Sequence, residues 1–133
     1  SRLLKYFNEE TDQKKAQKDF IKIYKKIKKN RKYFFSAKDL ALIDSLASDG
    51  FEIPNDLKYK DLYDKYPVPS NLLELAKNKE TAFLTLKIVE IIGEDEPNQL
   101  DPETIFFITH LLNQTNLKKL RNEVLISALP QRN

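Results

Sequence analysis

Apolar residues recur along this chain at the spacing of a helical turn, and the recurrence divides it into a series of amphipathic segments. From Asp12 to Asn30, Ala16, Phe20, Ile23, Tyr24 and Ile27 fall at i, i+4, i+7, i+8 and i+11, one stripe of a helix. Lysines cover its other sides. The preceding Leu3, Leu4, Tyr6 and Phe7 form a further apolar cluster, read as the end of a helix. Ser36 followed by Asp39 has the spacing of a capping box and predicts a second helix with Leu40, Ile43 and Leu46 inward, stopped by Ser48-Asp49-Gly50. Residues 12–49 therefore read as a helix–turn–helix pair.

Residues 51–69 are less regular. Pro54-Asn55-Asp56 can open a short helix carrying Leu57, Leu62 and Tyr63, whereas Tyr66-Pro67-Val68-Pro69 cannot be helical throughout and reads as a joint. Ser70 is the expected N-cap of the next helix, with a break near Asn78. Thr81–Ile92 is apolar on most sides, which predicts a central helix; its β-branched content also allows a strand, but the Leu-rich start and the stop at Gly93 favour the helix. Asp101-Pro102-Glu103 combines an N-cap residue, Pro at the first helical position and an acid facing the helix dipole. That helix carries Ile105, Phe106, Leu111 and Leu112 and is expected to break over Asn113–Asn116. Leu117, Leu120, Val124, Leu125 and Ala128 complete a last stripe.

The expected fold is all-α: antiparallel helical hairpins forming an irregular bundle or short α-solenoid. A basic N-terminal helical part (1–66), a Pro-containing joint (67–69) and a C-terminal helical-hairpin part (70–133) would form one compact unit. The expected core comprises Phe20, Ile23, Ile27, Leu40, Ile43, Leu46, Leu73, Phe83, Leu86, Val89, Ile105, Phe106, Leu111, Leu120, Val124 and Leu125.

Composition narrows the function classes. The 133 residues are 41% hydrophobic and 32% charged, as in ordinary globular domains. Only two glycines argue against an all-β chain and against a Gly-rich phosphate loop. Without cysteine, disulfides, thiolate metal sites and a Cys nucleophile are excluded. No run is apolar enough to cross a bilayer, so no transmembrane segment is expected. The lack of methionine, even at position 1, suggests a processed product or a fragment of a longer protein. A cytoplasmic and a periplasmic location both remain open.

The net charge of +3 is unevenly spread. Residues 1–66 carry 16 basic and 11 acidic side chains, and residues 67–133 carry 7 and 9. Lys22, Lys25, Lys26, Lys28, Lys29, Arg31 and Lys32, followed by Tyr33, Phe34 and Phe35, form the sharpest local signal. They can serve nucleic acid or another anionic surface, or be a solvated helix face beside aromatic residues that plug the core. Tyr59, Tyr63 and Tyr66 at i, i+4 and i+7 would share one face of an α-helix, as a partner-binding wall or as packing. His110 is the only histidine and lies in an apolar helix, which favours a structural role. Glu94, Asp95, Glu96, Asp101 and Glu103 lack the spacing of a calcium loop. No catalytic, cofactor or metal site is read.

Asp101-Pro102-Glu103-Thr104, the Phe106/Leu111 face, the Asn113–Asn116 turn and Leu117-x-x-Leu120 through Ala128 resemble the tetratricopeptide-like hairpin repeats of long bacterial α-solenoids. The likeness covers about residues 70–129. It implies a scaffold whose concave face binds protein or peptide, and it carries no catalytic residues. The functional expectation is a non-catalytic protein–protein interaction module. The alternatives are an anionic-polymer binder acting through Lys22–Lys32 and an accessory domain of a larger enzyme.

Overall fold

A computed structural model describes residues 2–30, 34–93 and 96–129, apart from the side chains of Arg2, Tyr59, Leu62 and Pro97. Among the described residues, seven α-helices and two short 3₁₀ segments follow one another: α1 (Arg2–Phe7), α2 (Gln13–Lys29), α3 (Ala37–Ser48), a 3₁₀ helix (Tyr59–Lys65), α4 (Ser70–Lys77), α5 (Thr81–Ile92), a 3₁₀ turn (Pro97–Gln99), α6 (Pro102–Gln114) and α7 (Lys118–Ala128). No strand occurs among the described residues.

Local chemistry explains most boundaries. The Asp12 side chain accepts a bond from the Lys15 amide and opens α2. Ser36 and Asp39 make both reciprocal bonds of the capping box at α3. Pro102 occupies the first turn of α6, although the Asp101 side chain makes no capping bond. Ser70 is the first residue of α4 rather than its cap; Pro69 holds that position without a side-chain bond. Residues after Pro54 make a turn and then a 3₁₀ helix, not the α-helix the sequence suggests. The expected break over Asn113–Asn116 begins later, because α6 runs on to Gln114.

The connections α1–α2, α4–α5 and α6–α7 share one device. Glu9, Lys79 and Asn116 each adopt a left-handed conformation, with φ near +60°. The next residue's amide then reaches back five positions: Glu10 to the Lys5 carbonyl at 2.8 Å, Glu80 to Leu75 at 3.0 Å, and Leu117 to Leu112 at 2.9 Å. Gly50 closes α3 in the same way, with Phe51 bonded to Leu46 at 3.0 Å. Each turn reverses the chain, and the helices on either side pack as pairs.

The pairs assemble around α6. α3 makes its broadest contact with α6 rather than with its sequence neighbour α2, with which it shares an apolar cluster. α1 rests on both α2 and α7, which brings the first and last helices together in an irregular bundle. One apolar cluster joins α1, α2, α3, Phe51 and Leu57 to one side of α6 and α7 through Ile105, Phe106, Leu125 and Ala128. A second joins α4 and α5, through Leu72, Ala76, Leu84 and Ile88, to Ile108, Leu111, Leu112 and Val124 on the other side.

The expected core needs one substantial correction. Leu40, Ile43, Leu46, Ile105, Phe106, Leu111, Val124 and Leu125 are buried, while Phe83, Leu86 and Val89 are exposed. α5 is not central: it packs chiefly on α4 at the edge of the bundle and buries only one stripe.

Candidate functional site

A buried polar network joins the C-terminal ends of α3 and α6 to the start of α7. Arg121 lies in the register of the α7 stripe, four residues after Leu117 and three before Val124, and is 1% exposed. Its Nη1 and Nη2 make a two-point bond to Asp49 at 2.7 and 2.8 Å. Nη1 also meets Asn113 Oδ1 at 3.1 Å, while Nε and Nη2 meet Asn122 Oδ1 at 3.1 and 2.6 Å. All five guanidinium donors are thereby engaged, and the group stacks over Phe7 at 5.6 Å. Asp49 also accepts the Tyr6 hydroxyl at 2.7 Å. Lys118 approaches Asp49 to 3.5 Å and the Tyr6 ring to 5.7 Å, which offsets its unfavourable place in the first turn of α7.

Asn113 links this cluster to a second one. Its amide nitrogen donates to Asp44 at 3.0 Å and to the Ser45 hydroxyl at 3.2 Å. Asp44 also accepts the Tyr63 hydroxyl and meets His110 Nδ1 at 2.9 Å. Burial works against the charge on both aspartates, yet both carboxyls are held below the ordinary carboxylate range. His110, Tyr63 and Asn113 do this for Asp44. Arg121, Tyr6 and Lys118 do it for Asp49. Burial and the Asp49 carboxylate push the Tyr6 hydroxyl well above its usual value. Among the described residues no buried side-chain nitrogen or oxygen lacks a partner.

His110 lines a shallow cleft of about 380 Å³ with Asp44, Ser48, Lys60, Tyr63, Asn113 and Gln114. Fixing Nδ1 on Asp44 leaves Nε2 as the ring's remaining nitrogen, on a side chain 12% exposed. The sequence favoured a structural His110, and the structure places it between the buried network and this cleft. The signal that identifies the network is a charged side chain in an apolar register, as at Asp44 and Arg121.

Two surface regions differ from that network. α2 presents the predicted Lys22, Lys25, Lys26, Lys28 and Lys29 to solvent, and it adds Lys14, Lys15 and Lys18. Asp56 takes up the charge of Lys28, raising that ammonium's pKa and lowering its own. Arg31, Lys32 and Tyr33 lie outside the described residues, as do Glu94 and Asp95 of the acidic loop. Of the predicted tyrosine face, Tyr63 and Tyr66 pack on Phe106, with ring centroids 5.6 and 6.2 Å away. The side chain of Tyr59 lies outside what is described. A 3₁₀ helix brings residues three apart onto one side, so Tyr63 and Tyr66 fall together.

The second region is the outer side of α5. Phe83, Leu86 and Val89 are 57%, 64% and 56% exposed, and they follow one another at three-residue steps along one face. Three large apolar side chains in a row on one helix differ from the scattered apolar residues of an ordinary surface.

No protein-family model matches the sequence, and no curated protein or solved structure matches the chain. No group of three or more acidic or histidine side chains among the described residues could hold a metal ion. No helix among them is long and apolar enough to cross a membrane.

Proposed function

We propose that this protein is a non-catalytic helical-hairpin module of the tetratricopeptide-like kind that binds another protein, and that the bound element is an amphipathic helix laid along α5. The observation that carries this reading is the uncovered row Phe83, Leu86 and Val89. α5 buries Leu84 and Ile88 against the bundle, and its opposite side is what one further packed helix would cover. Two hairpins joined by turns of matching backbone conformation support the repeat-like character. Glu80 and Leu117, which follow the left-handed residues, have φ, ψ of −81°, 63° and −87°, 63°.

A photo-crosslinking residue at position 86 would capture the partner in the native source. Affinity is then measured with the purified partner. Phe83→Glu and Leu86→Glu should each weaken binding about thirtyfold or more, the scale of a central interface anchor, and leave the unfolding midpoint unchanged. Retention of full affinity by both variants would exclude α5 as the binding face. Capture of a partner that presents no helix would exclude the proposed occupant.

A further inference from the structure

We infer that α2 docks this protein on an anionic lipid bilayer, with the lysine stripe on the headgroups and Phe34 entering the interface. Lys18, Lys22, Lys25 and Lys29 fall at i, i+4, i+7 and i+11, along the side of α2 opposite Ala16 and Phe20. The stripe is about 16 Å long at the rise of an α-helix. Lys14, Lys15 and Lys26 are exposed beside it, and Asp19 is the one acid in α2. Lys28, whose charge Asp56 offsets, lies toward the 51–57 loop rather than in the stripe.

Beyond α2, Phe35 packs against the core cluster while its neighbour Phe34 is 86% exposed. A cluster of lysines on an amphipathic helix is the charge pattern that anionic headgroups attract, and the exposed Phe34 ring adds apolar area for the interface.

Two features favour lipid over nucleic acid. The cations of α2 are lysines, point charges without the planar fork that reads bases and grips phosphates at two points. The amide side chains of α2 are already engaged within the fold: Gln17 bonds the Glu52 backbone at 2.7 and 3.0 Å, and Gln13 reaches the Asp49 carbonyl. A headgroup layer requires only the charge and the ring. This inference concerns a different face from the one assigned to a protein partner, so either can fail alone.

The test is co-sedimentation of the whole chain with phosphatidylcholine vesicles and with mixed phosphatidylcholine–phosphatidylserine vesicles, at low and raised salt. Binding should need phosphatidylserine and fall steeply with salt. Each stripe lysine changed to Gln should weaken it about fivefold, and the fourfold variant should match neutral vesicles. Phe34→Ala should weaken binding about tenfold while keeping its salt dependence. Lys28→Gln should change it less than Lys25→Gln. Circular dichroism should be unchanged throughout, because these side chains lie on the surface. The inference fails if the unmodified chain binds neutral and anionic vesicles equally. It fails if the fourfold variant binds anionic vesicles as the unmodified chain does. It fails equally if single-stranded RNA retains the chain at a salt concentration that releases it from the vesicles.

Discussion

The α4–α5 and α6–α7 hairpins share one turn geometry but distribute their side chains in opposite ways. In α6–α7 a guanidinium, two amides and a histidine sit among apolar neighbours; Arg121, Asn113 and His110 find partners on α3 or beside it, and Asn122 accepts from Arg121. In α4–α5 phenylalanine, leucine and valine side chains face water. Position in the bundle accounts for the difference. α6 is enclosed by α3, α4 and α7, so its polar groups must find partners inside the fold. α5 packs chiefly on α4, so its second apolar stripe has nothing to bury it. Each hairpin departs from apolar-in, polar-out patterning, and departures of this kind mark functional or specificity-determining sites more often than chance.

The largest effect should come from breaking the buried polar network. Arg121→Met leaves Asp49 buried without its two-point partner and removes a donor from Asn113 and from Asn122. A loss of about 3–5 kcal/mol is expected, read as a fall in the urea midpoint at constant slope. With Asp49→Leu already in place, the same substitution should cost far less, since the stranded charge is then gone. Equal costs in both backgrounds would show that the ion pair is not what orders the network.

Next in size is the contrast between the two sides of α5. Ile88→Ala, on the buried stripe, should cost about 2–5 kcal/mol. Leu86→Ala, two residues away and mostly exposed, should stay within about 0.5 kcal/mol. Similar losses at the two sites would mean that the outer stripe is covered in solution, and self-association measured by ultracentrifugation would then identify the cover.

Sequence patterning located the helices well because a helix facing core on one side and water on the other declares both. α2 and α3 were of this kind, and the capping box at Ser36 stands where the residues put it. α5 declares nothing, since residues 81–92 are apolar nearly all round and only tertiary position decides which stripe is buried. The polar network was hidden for a different reason. Arg121 and Asp49 are 72 positions apart, and each reads alone as a surface residue. The cue was positional: Arg121 interrupts the Leu117–Val124–Ala128 stripe, and Asp44 stands one turn after Leu40 and Ala41. The 3₁₀ form of Tyr59–Lys65 was not legible, because apolar spacing cannot separate it from an α-helix in so short a segment.

A smaller, pH-dependent effect separates the same two regions. Asp44 and Asp49 titrate below the ordinary carboxylate range in the fold, and near 4 when unfolded. The stability they contribute is complete above about pH 4 and is lost as pH falls through their folded values. Unfolding by acid should therefore steepen below about pH 4. Asp44→Asn should start from lower stability and fall less steeply over that interval. Ile88→Ala should lower the whole curve without changing its slope there, since α5 adds no buried carboxylate to the network. A slope unchanged by Asp44→Asn would place the acid sensitivity elsewhere.

The smallest effect tests the one feature the hairpins share. Lys79 and Asn116 occupy the same left-handed position, with φ of 59° at each. Asparagine adopts that conformation readily, whereas lysine takes on the clash of its Cβ with the following carbonyl, about 1–2 kcal/mol. Glycine removes the clash but gives the unfolded chain more freedom, which offsets about 0.4–1 kcal/mol of the gain. Lys79→Gly should therefore stabilise the fold by about 0.5–1 kcal/mol, and Asn116→Gly should be close to neutral. Gly50→Ala should act in the opposite direction. Its φ is +91°, and the nearest atom to an added Cβ is 3.9 Å away, so the cost arises in the backbone rather than from crowding. Lys79→Gly melting above the unmodified chain and Asn116→Gly level with it would show that the turns are governed by the same local term in both hairpins, and Gly50→Ala melting below it would extend that term to the end of α3. A stabilising Asn116→Gly with a neutral Lys79→Gly would show that packing around each turn, central in one hairpin and peripheral in the other, outweighs its backbone conformation.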